Sequence, residues 1–294
     1  IMKTYKKKHK FNSPDLAKNF VNNGYVIISD AVDKKIFNEI IKIFEKSFKK
    51  LKILSRNKKI KEDYELWGII IVKIIEKNKV YKKFLRSTKL ISFLKTLLGP
   101  DVCALGYNSI WINNPTNKNP VLKKTPHVDA WTGTSENTIF VKLFLTDVDK
   151  FNSVTMYPGT NLQGLLPVKS RTIDKNLNLK FTGINLDNIK KGDLLIWHAL
   201  TLHSTTGHSA KKQRVSFTTR FTSTESKFSS QERALGYETV TVGPLNQIKR
   251  IIGNDNLQPL RTYGGHVGSD KRLKDLYDLS NYNDDIEKYI SLLE

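Results

Sequence analysis

At about Val102 the hydrophobic pattern of this chain changes period, and that change constrains the fold more than any other feature. Before it, apolar residues recur every three to four positions. Ser13, Pro14 and Asp15 read as a helix start, with Ser13 as N-cap and Pro14 at the first helical position; Leu16, Phe20 and Val21 share a face and Gly24 is the stop. Tyr25 to Ser29 reads as a short strand. Ile36, Ile40, Ile41, Ile43, Phe44 and Phe48 predict a second helix from Asp33 to about Leu51, and further helical pieces are expected through Tyr81 to Leu98. After Val102 come short β-rich segments, near Tyr107 to Ile112, Thr138 to Thr146, Val154 to Tyr157, Leu194 to His198 and Arg214 to Thr222. Asn113-Asn114-Pro115 and Pro158-Gly159 punctuate them. This order implies a mainly β fold with flanking helices: a double-stranded β-helix, the cupin-like jelly roll, packed against N-terminal helices.

A chain of 294 residues can bury a large core. The expected division is a basic N-terminal tail over 1–12 and a single domain over 13–294. Within that domain the helical part covers about 13–100, the jelly-roll core about 101–224 and a C-terminal extension 225–294. In the extension, Leu273, Leu276, Tyr277, Ile286, Tyr289, Ile290 and Leu293 predict an amphipathic helix between Ser269 and Glu294. The longest apolar stretch, Trp67 to Ile75, is broken by Lys73, so no bilayer-spanning segment is expected. The lysine-dense stretch from Met2 to Asn12 lacks the apolar core of a secretion signal, and a cytoplasmic protein is the expectation.

One cysteine, Cys103, excludes an intrachain disulfide and a cysteine-built zinc site, so any metal must be held by histidine and carboxylate. The net charge of +21 raises the question of nucleic acid, but only nine of the 49 basic residues are arginines. Bidentate recognition of bases and phosphates favours arginine, so the excess reads as a solvated lysine surface. The expected partner is a small molecule, anionic by charge complementarity. Nothing in the sequence sets an oligomeric state.

His127 and Asp129, with Val128 between them, place an imidazole and a carboxylate on one face of an extended segment. Such a pair supplies two of the three ligands of a facial triad, which leaves open positions on an octahedral ion for an oxidant and a cosubstrate. His198, His203 and His208 compete for the third place, whereas His9 and His266 belong to no constellation. Arg214, on an apparent strand after these histidines, offers a guanidinium fork to a carboxylate, and Ser216 shares its face. Trp131, just past the acidic residue, and Lys142, should it point inward, are candidate substrate contacts; an inward Lys142 would bind an acidic group.

These motifs together resemble the phytanoyl-CoA dioxygenase family of iron(II)- and 2-oxoglutarate-dependent oxygenases. Pro126-His127-Val128-Asp129 resembles its first-ligand motif. Leu145-Thr146-Asp147-Val148, Asn152 and Tyr157-Pro158-Gly159-Thr160 resemble the strand and turn that follow, and Gly192 to Phe217 resembles its Gly-Asp, ligand histidine and Arg-x-Ser signature. The similarity spans about Asn108 to Phe221. Two positions depart from the pattern: Ser153 stands where the family has glycine, and Asn161 follows Thr160 where it often has histidine.

The resemblance implies that His127, Asp129 and His203 hold iron(II), and that Arg214 grips the distal carboxylate of 2-oxoglutarate with Ser216 or Thr205 as hydroxyl partners. It also implies that dioxygen is consumed in hydroxylating a substrate C–H bond. A carboxylate at Asp129 argues for hydroxylation over halogenation, which requires that ligand position vacant for a halide. Phosphorylated, acyl-CoA, acidic-sugar or lipopolysaccharide-type substrates all suit a basic chain. The alternative is a jelly-roll binding protein without redox activity that recognises an anionic glycan or nucleic acid through its lysines.

Overall fold

The computed structural model describes residues 5–106, 108–113, 125–130, 135–169, 172–173, 181–205, 212–224, 226, 237–252 and 279–293. Thirteen strands run through them in chain order: β1 Lys8–His9, β2 Tyr25–Ile28, β3 Val102–Leu105, β4 Ser109–Asn113, β5 Ile139–Phe144, β6 Val154–Met156, β7 Val168–Lys169, β8 Thr172–Ile173, β9 Ile184–Leu186, β10 Leu194–His198, β11 His203–Thr205, β12 Arg214–Ser223 and β13 Tyr237–Thr239. The helices are α1 Leu16–Asn23, α2 Lys34–Arg56, α3 Tyr64–Lys77, α4 Lys79–Leu85, α5 Thr88–Leu98, α6 Pro244–Ile251 and α7 Leu279–Leu293.

Side-chain alternation along the central strands sets the layers. The eight-stranded sheet runs β1-β2-β10-β5-β12-β3-β13, with β4 also paired to β12. On β5, Ile139, Val141 and Leu143 join the core beneath the helices, while Phe140 and Phe144 join a second core facing the three-stranded sheet β11-β6-β9. On β10, Leu194 and Ile196 take the helix side, and Leu195 and Trp197 the inner side. A strand buried on both faces needs a continuous apolar run, which Leu194 to Trp197 supplies. β12 differs. Val215, Phe217 and Phe221 pack under the helices, so Arg214, Ser216, Thr218, Arg220 and Thr222 are turned into the barrel, all of them buried. Two facing sheets covered by helices on one side form the jelly roll expected from the sequence.

α1 starts after Asp15 rather than Ser13, whose hydroxyl instead accepts from the Lys10 amide at 3.1 Å in the preceding turn. Gly24 ends α1 at φ 78°, a left-handed conformation open to glycine. A Cβ there would also meet Thr201 Oγ1 at 2.4 Å, because the Gly24 carbonyl accepts from that hydroxyl and from the His198 amide. The end of the first helix is thereby fastened to the turn between β10 and β11. α2 begins at Lys34, with the Asp33 carboxylate accepting from the Lys35 and Ile36 amides, and runs on to Arg56, past the expected end at Leu51.

The apolar stretch from Trp67 to Ile75 lies inside α3, which packs across β4. A Cβ on Gly68 would stand 2.2 Å from the Ile110 carbonyl oxygen, so helix and strand touch at backbone distance. Gly68→Ala is expected to destabilise the protein by about 1–3 kcal/mol, because backbone rather than a side-chain tip must move. Denaturant unfolding of wild type and variant checks this.

The N-terminal segment, expected to be a tail, is docked along its described part. β1 lies parallel to β2, the Tyr25 hydroxyl donates to the Tyr5 carbonyl, and Lys6 and Lys8 pair with Asp187 and Asp193 at 2.8 and 2.6 Å. The edge of the sheet offered unpaired backbone groups, and the lysines found acidic partners. α7 packs on α2 and α3 through Ile286, Tyr289, Ile290 and Leu293; residues 269–278 of the expected C-terminal helix lie outside the described residues. No helix among the described residues is long and apolar enough to cross a membrane.

Candidate metal centre

His127 and His203 meet in an isolated antiparallel bridge: each amide donates to the other's carbonyl, at 2.9 and 3.0 Å. The expected strand around His127 is reduced to that one pairing, yet its consequence holds. The rings lie 4.3 Å apart between centroids, and the Asp129 amide bonds the Ala199 carbonyl at 2.9 Å, which fixes the next inward residue beside them. Asp129 Oδ1 is 3.9 Å from His127 Nε2, and Oδ2 is 3.4 Å from His203 Nε2. One donor atom from each residue lies within 4.8 Å of the others; among the described residues no other group of three histidines, cysteines or carboxylates does so. Adjacent ligands on an ion with bonds of about 2.1 Å stand roughly 3 Å apart, so a small inward adjustment suits these atoms to a divalent cation.

The outer nitrogens fix the tautomers. His127 Nδ1 is 2.8 Å from the Thr125 carbonyl and His203 Nδ1 is 3.0 Å from the Thr201 carbonyl. A carbonyl only accepts, so each Nδ1 carries the proton and each Nε2 presents a lone pair to the centre. Burial pushes the His203 pKa down to about 3 against the opposing pull of Asp129, so this imidazole stays neutral and ready to ligate. Thr201 is itself held by Gly24, and the Leu202 amide donates to Thr160 Oγ1 at 2.9 Å. In this way the Pro158-Gly159 turn is pinned to the loop that carries His203. Asn161, one of the departures from the expected pattern, donates to the Val21 carbonyl and ties the same turn to α1.

In the sequence Trp197 simply closes the apolar run that begins at Leu194. Its indole N–H donates to Asp129 Oδ2 at 3.2 Å. A buried tryptophan seeks a partner for its N–H, the one signal in the sequence that pointed to a polar neighbour. Trp197→Phe keeps the ring and removes the donor; the expected result is roughly tenfold weaker binding of divalent metal, the usual scale for losing a group that orients a ligand, read by metal titration.

Arg214 opens β12 and is only 5% exposed. Its Nη1 donates to the carbonyls of Asn152 and of Ser153, the latter at 2.9 Å, just before β6. The Asn113 side-chain carbonyl, in the amide orientation that satisfies both groups, accepts from Nε at 3.3 Å and from Nη2. These are neutral acceptors; no carboxylate among the described residues pairs with Arg214, and burial lowers its pKa to about 10. A desolvated guanidinium held only by carbonyls is a standing demand for an anion. Ser216, two residues along β12, shares the inner face and is 2% exposed. Thr205 ends β11 opposite Val154, next to the Ser153 carbonyl that Arg214 holds.

Lys142 faces inward on β5, its Nζ 5.2 Å from the centre of the Trp197 ring. Trp131 and His208 lie outside the described residues. His198 is turned to the helix side, where its ring meets Phe20 at 6.4 Å, so it stands apart from the centre. Gly192 and Asp193 form the turn into β10: Gly192 adopts φ 90°, and Asp193 Oδ2 accepts from the Lys190 amide and from Lys8 Nζ.

Comparison with known proteins bears on this geometry. The model of the family described as phytanoyl-CoA dioxygenase (PhyH) matches residues 20–216. Among solved structures, the apo form of the non-heme monooxygenase ThoJ superposes with a TM-score of 0.59 at 14% identity, covering 87% of this chain and all of that one. The epimerase SnoN, in complex with Fe3+, alpha-ketoglutarate and nogalamycin RO, gives 0.56 at 15% identity over 78% of this chain and 94% of that one. The carbocyclase SnoK from nogalamycin biosynthesis, a non-heme alpha-ketoglutarate-dependent protein, gives 0.51 at 12% identity over 76% and 89%. At such identities the likeness speaks for the fold. No curated protein sequence matches the chain.

Proposed function

Because the chain belongs to the phytanoyl-CoA dioxygenase family of enzymes, we propose that it is an iron(II)- and 2-oxoglutarate-dependent oxygenase that hydroxylates a C–H bond of a small-molecule substrate. His127, Asp129 and His203 hold the iron, and Arg214 holds the distal carboxylate of the keto acid. The observation that carries this reading is the convergence of two Nε2 lone pairs and one carboxylate within 4.8 Å, with both Nδ1 protons committed elsewhere. Two imidazoles and a carboxylate on one side of an ion are the donor set of non-haem iron(II) oxygenases. Bound there together, the ion and 2-oxoglutarate supply the activation of dioxygen that couples decarboxylation of the keto acid to oxidation of the substrate.

The chain's own part is positional. Thr125 and Thr201 aim the imidazoles, Trp197 orients Asp129, and Arg214 gives the far carboxylate the charged partner that the carbonyls of Asn152 and Ser153 cannot supply. Ser216 and Thr205 add hydroxyls at the same end. The inner core of Phe140, Phe144, Met156 and Leu195, which also contains the Trp197 that bonds Asp129, gives the site an apolar flank. The reading keeps the cytoplasm as its compartment, where a free, buried Cys103 stays reduced.

The test is direct. Protein loaded with iron(II) and 2-oxoglutarate in air is expected to release succinate, faster in the presence of the substrate, whose product gains one oxygen atom. Failure of the wild-type protein to bind iron(II) or to form succinate would sink the proposal.

A further inference from the structure

The interior of the barrel carries a second polar station, apart from the Arg214 clamp. Strand register sets Lys142 of β5 opposite Thr218 of β12, and Thr218 opposite Ser109 of β4. All three lie on the inner face, since their neighbours Val141, Leu143, Phe217 and Ile110 pack under the helices. Neighbouring strands run about 4.8 Å apart, so the three residues stand in one short row across the sheet, with the long Lys142 side chain reaching over Trp197. Among the described residues Thr218 Oγ1 and Ser109 Oγ are buried without a hydrogen-bond partner, and Thr218 is only 2% exposed. A buried hydroxyl with no partner costs free energy unless something fills the demand.

The row borders the metal centre. Lys142 Nζ lies over the indole that donates to Asp129. Arg220 adds a second cation diagonally across from Lys142 on the same face, its guanidinium 4.9 Å from the centre of the Phe140 ring, which in turn stacks on Trp197. Thr218 is four residues beyond Arg214, roughly 13 Å along β12 at the usual rise, so the row and the clamp are separate stations for negative charge.

We propose that Lys142, Thr218 and Ser109 cradle an oxyanion of the substrate, a carboxylate or a phosphate ester, and that the substrate class is therefore an anionic small molecule. The cation supplies the charge and the hydroxyls supply donors, the pairing by which lysine binds phosphate as a point charge. The inference rests on the oxygenase reading of the adjoining centre, because only then does an anion held here place the rest of its molecule at the metal.

The experiment uses the full chain loaded with manganese(II) and 2-oxoglutarate, which gives a complete site without turnover, and sulfate as the oxyanion probe. Metal and 2-oxoglutarate affinities are measured first; their absence in the wild type would sink the oxygenase reading itself. With both present, sulfate is expected to bind the wild type, and Lys142→Met to weaken it about 10–100-fold, the scale of a lost charge-assisted hydrogen bond. Lys142→Arg should restore most of that loss, and Thr218→Val should weaken sulfate several-fold without changing side-chain shape. In every variant metal and 2-oxoglutarate affinities should stay within about threefold of wild type. No sulfate binding by the loaded wild type, or no change on Lys142→Met, overturns the proposal. So does a tenfold loss of 2-oxoglutarate affinity in Lys142→Met, which would assign the lysine to the cosubstrate.

Discussion

Asp129→Ala is expected to weaken iron(II) binding by at least about a hundredfold, equivalent to roughly 2.7 kcal/mol, and to abolish succinate formation. Asp129 is the one carboxylate of the cluster, and it stands between the two imidazoles at 3.9 and 3.4 Å. Without it the ion meets two neutral nitrogens, and nothing offsets the loss of its hydration shell. The indole N–H of Trp197 also loses its acceptor. His127→Ala removes a ligand but keeps the carboxylate, so it should weaken the metal less than Asp129→Ala while also eliminating turnover. Calorimetric titration of metal into each variant, with thermal melts of the metal-free proteins as a folding control, separates ligand loss from unfolding. Unchanged iron affinity in folded Asp129→Ala would remove the carboxylate from the metal centre.

Arg214→Ala should raise the 2-oxoglutarate concentration needed for half-maximal succinate formation by about a hundredfold, while iron(II) affinity changes only a few-fold. A charged contact to a carboxylate in a dry site is worth up to about 3 kcal/mol, and the guanidinium's own hydrogen bonds run to Asn113, Asn152 and Ser153 rather than to the three ligands. Arg214 also bonds the carbonyls of Asn152 and Ser153 and the Asn113 side chain. Truncation strands those acceptors, so a stability loss of about 1–3 kcal/mol should accompany the kinetic effect. Arg214→Lys keeps the charge without the fork and should fall between wild type and alanine in cosubstrate affinity. Equal losses of metal and cosubstrate in a folded Arg214→Ala protein would mean that the arginine props up the metal centre instead.

How much of this was legible beforehand depends on whether the physics was local. The helix of Asp33 and the strand Leu194 to His198 were readable because capping and side-chain period are properties of a few adjacent residues. α3 was harder: Trp67 to Ile75 is apolar on nearly every face, and Gly68 sits mid-helix, which makes sense only once β4 lies against it at backbone distance. Spacing alone left His198, His203 and His208 open as the third ligand. The structure turns His198 to the helix side against Phe20 and brings His203 into reciprocal backbone pairing with His127. The inward direction of Lys142 hung on the same question of strand face, as did the role of Trp197, whose partner is 68 residues away.

By itself the sequence determined which side chains were available for chemistry and the period of each segment. A single cysteine left histidine and carboxylate as ligands, and the switch of period near Val102 set helices against a jelly roll. Only the tertiary structure decided which inward residues meet. Pairing across strands joins positions remote in the chain, and a shift of one residue would turn each of them to the opposite face. The register that seats Asp129 between two imidazoles and Thr218 opposite Lys142 is fixed by packing on both sides of the sheet at once, a condition that no local pattern encodes.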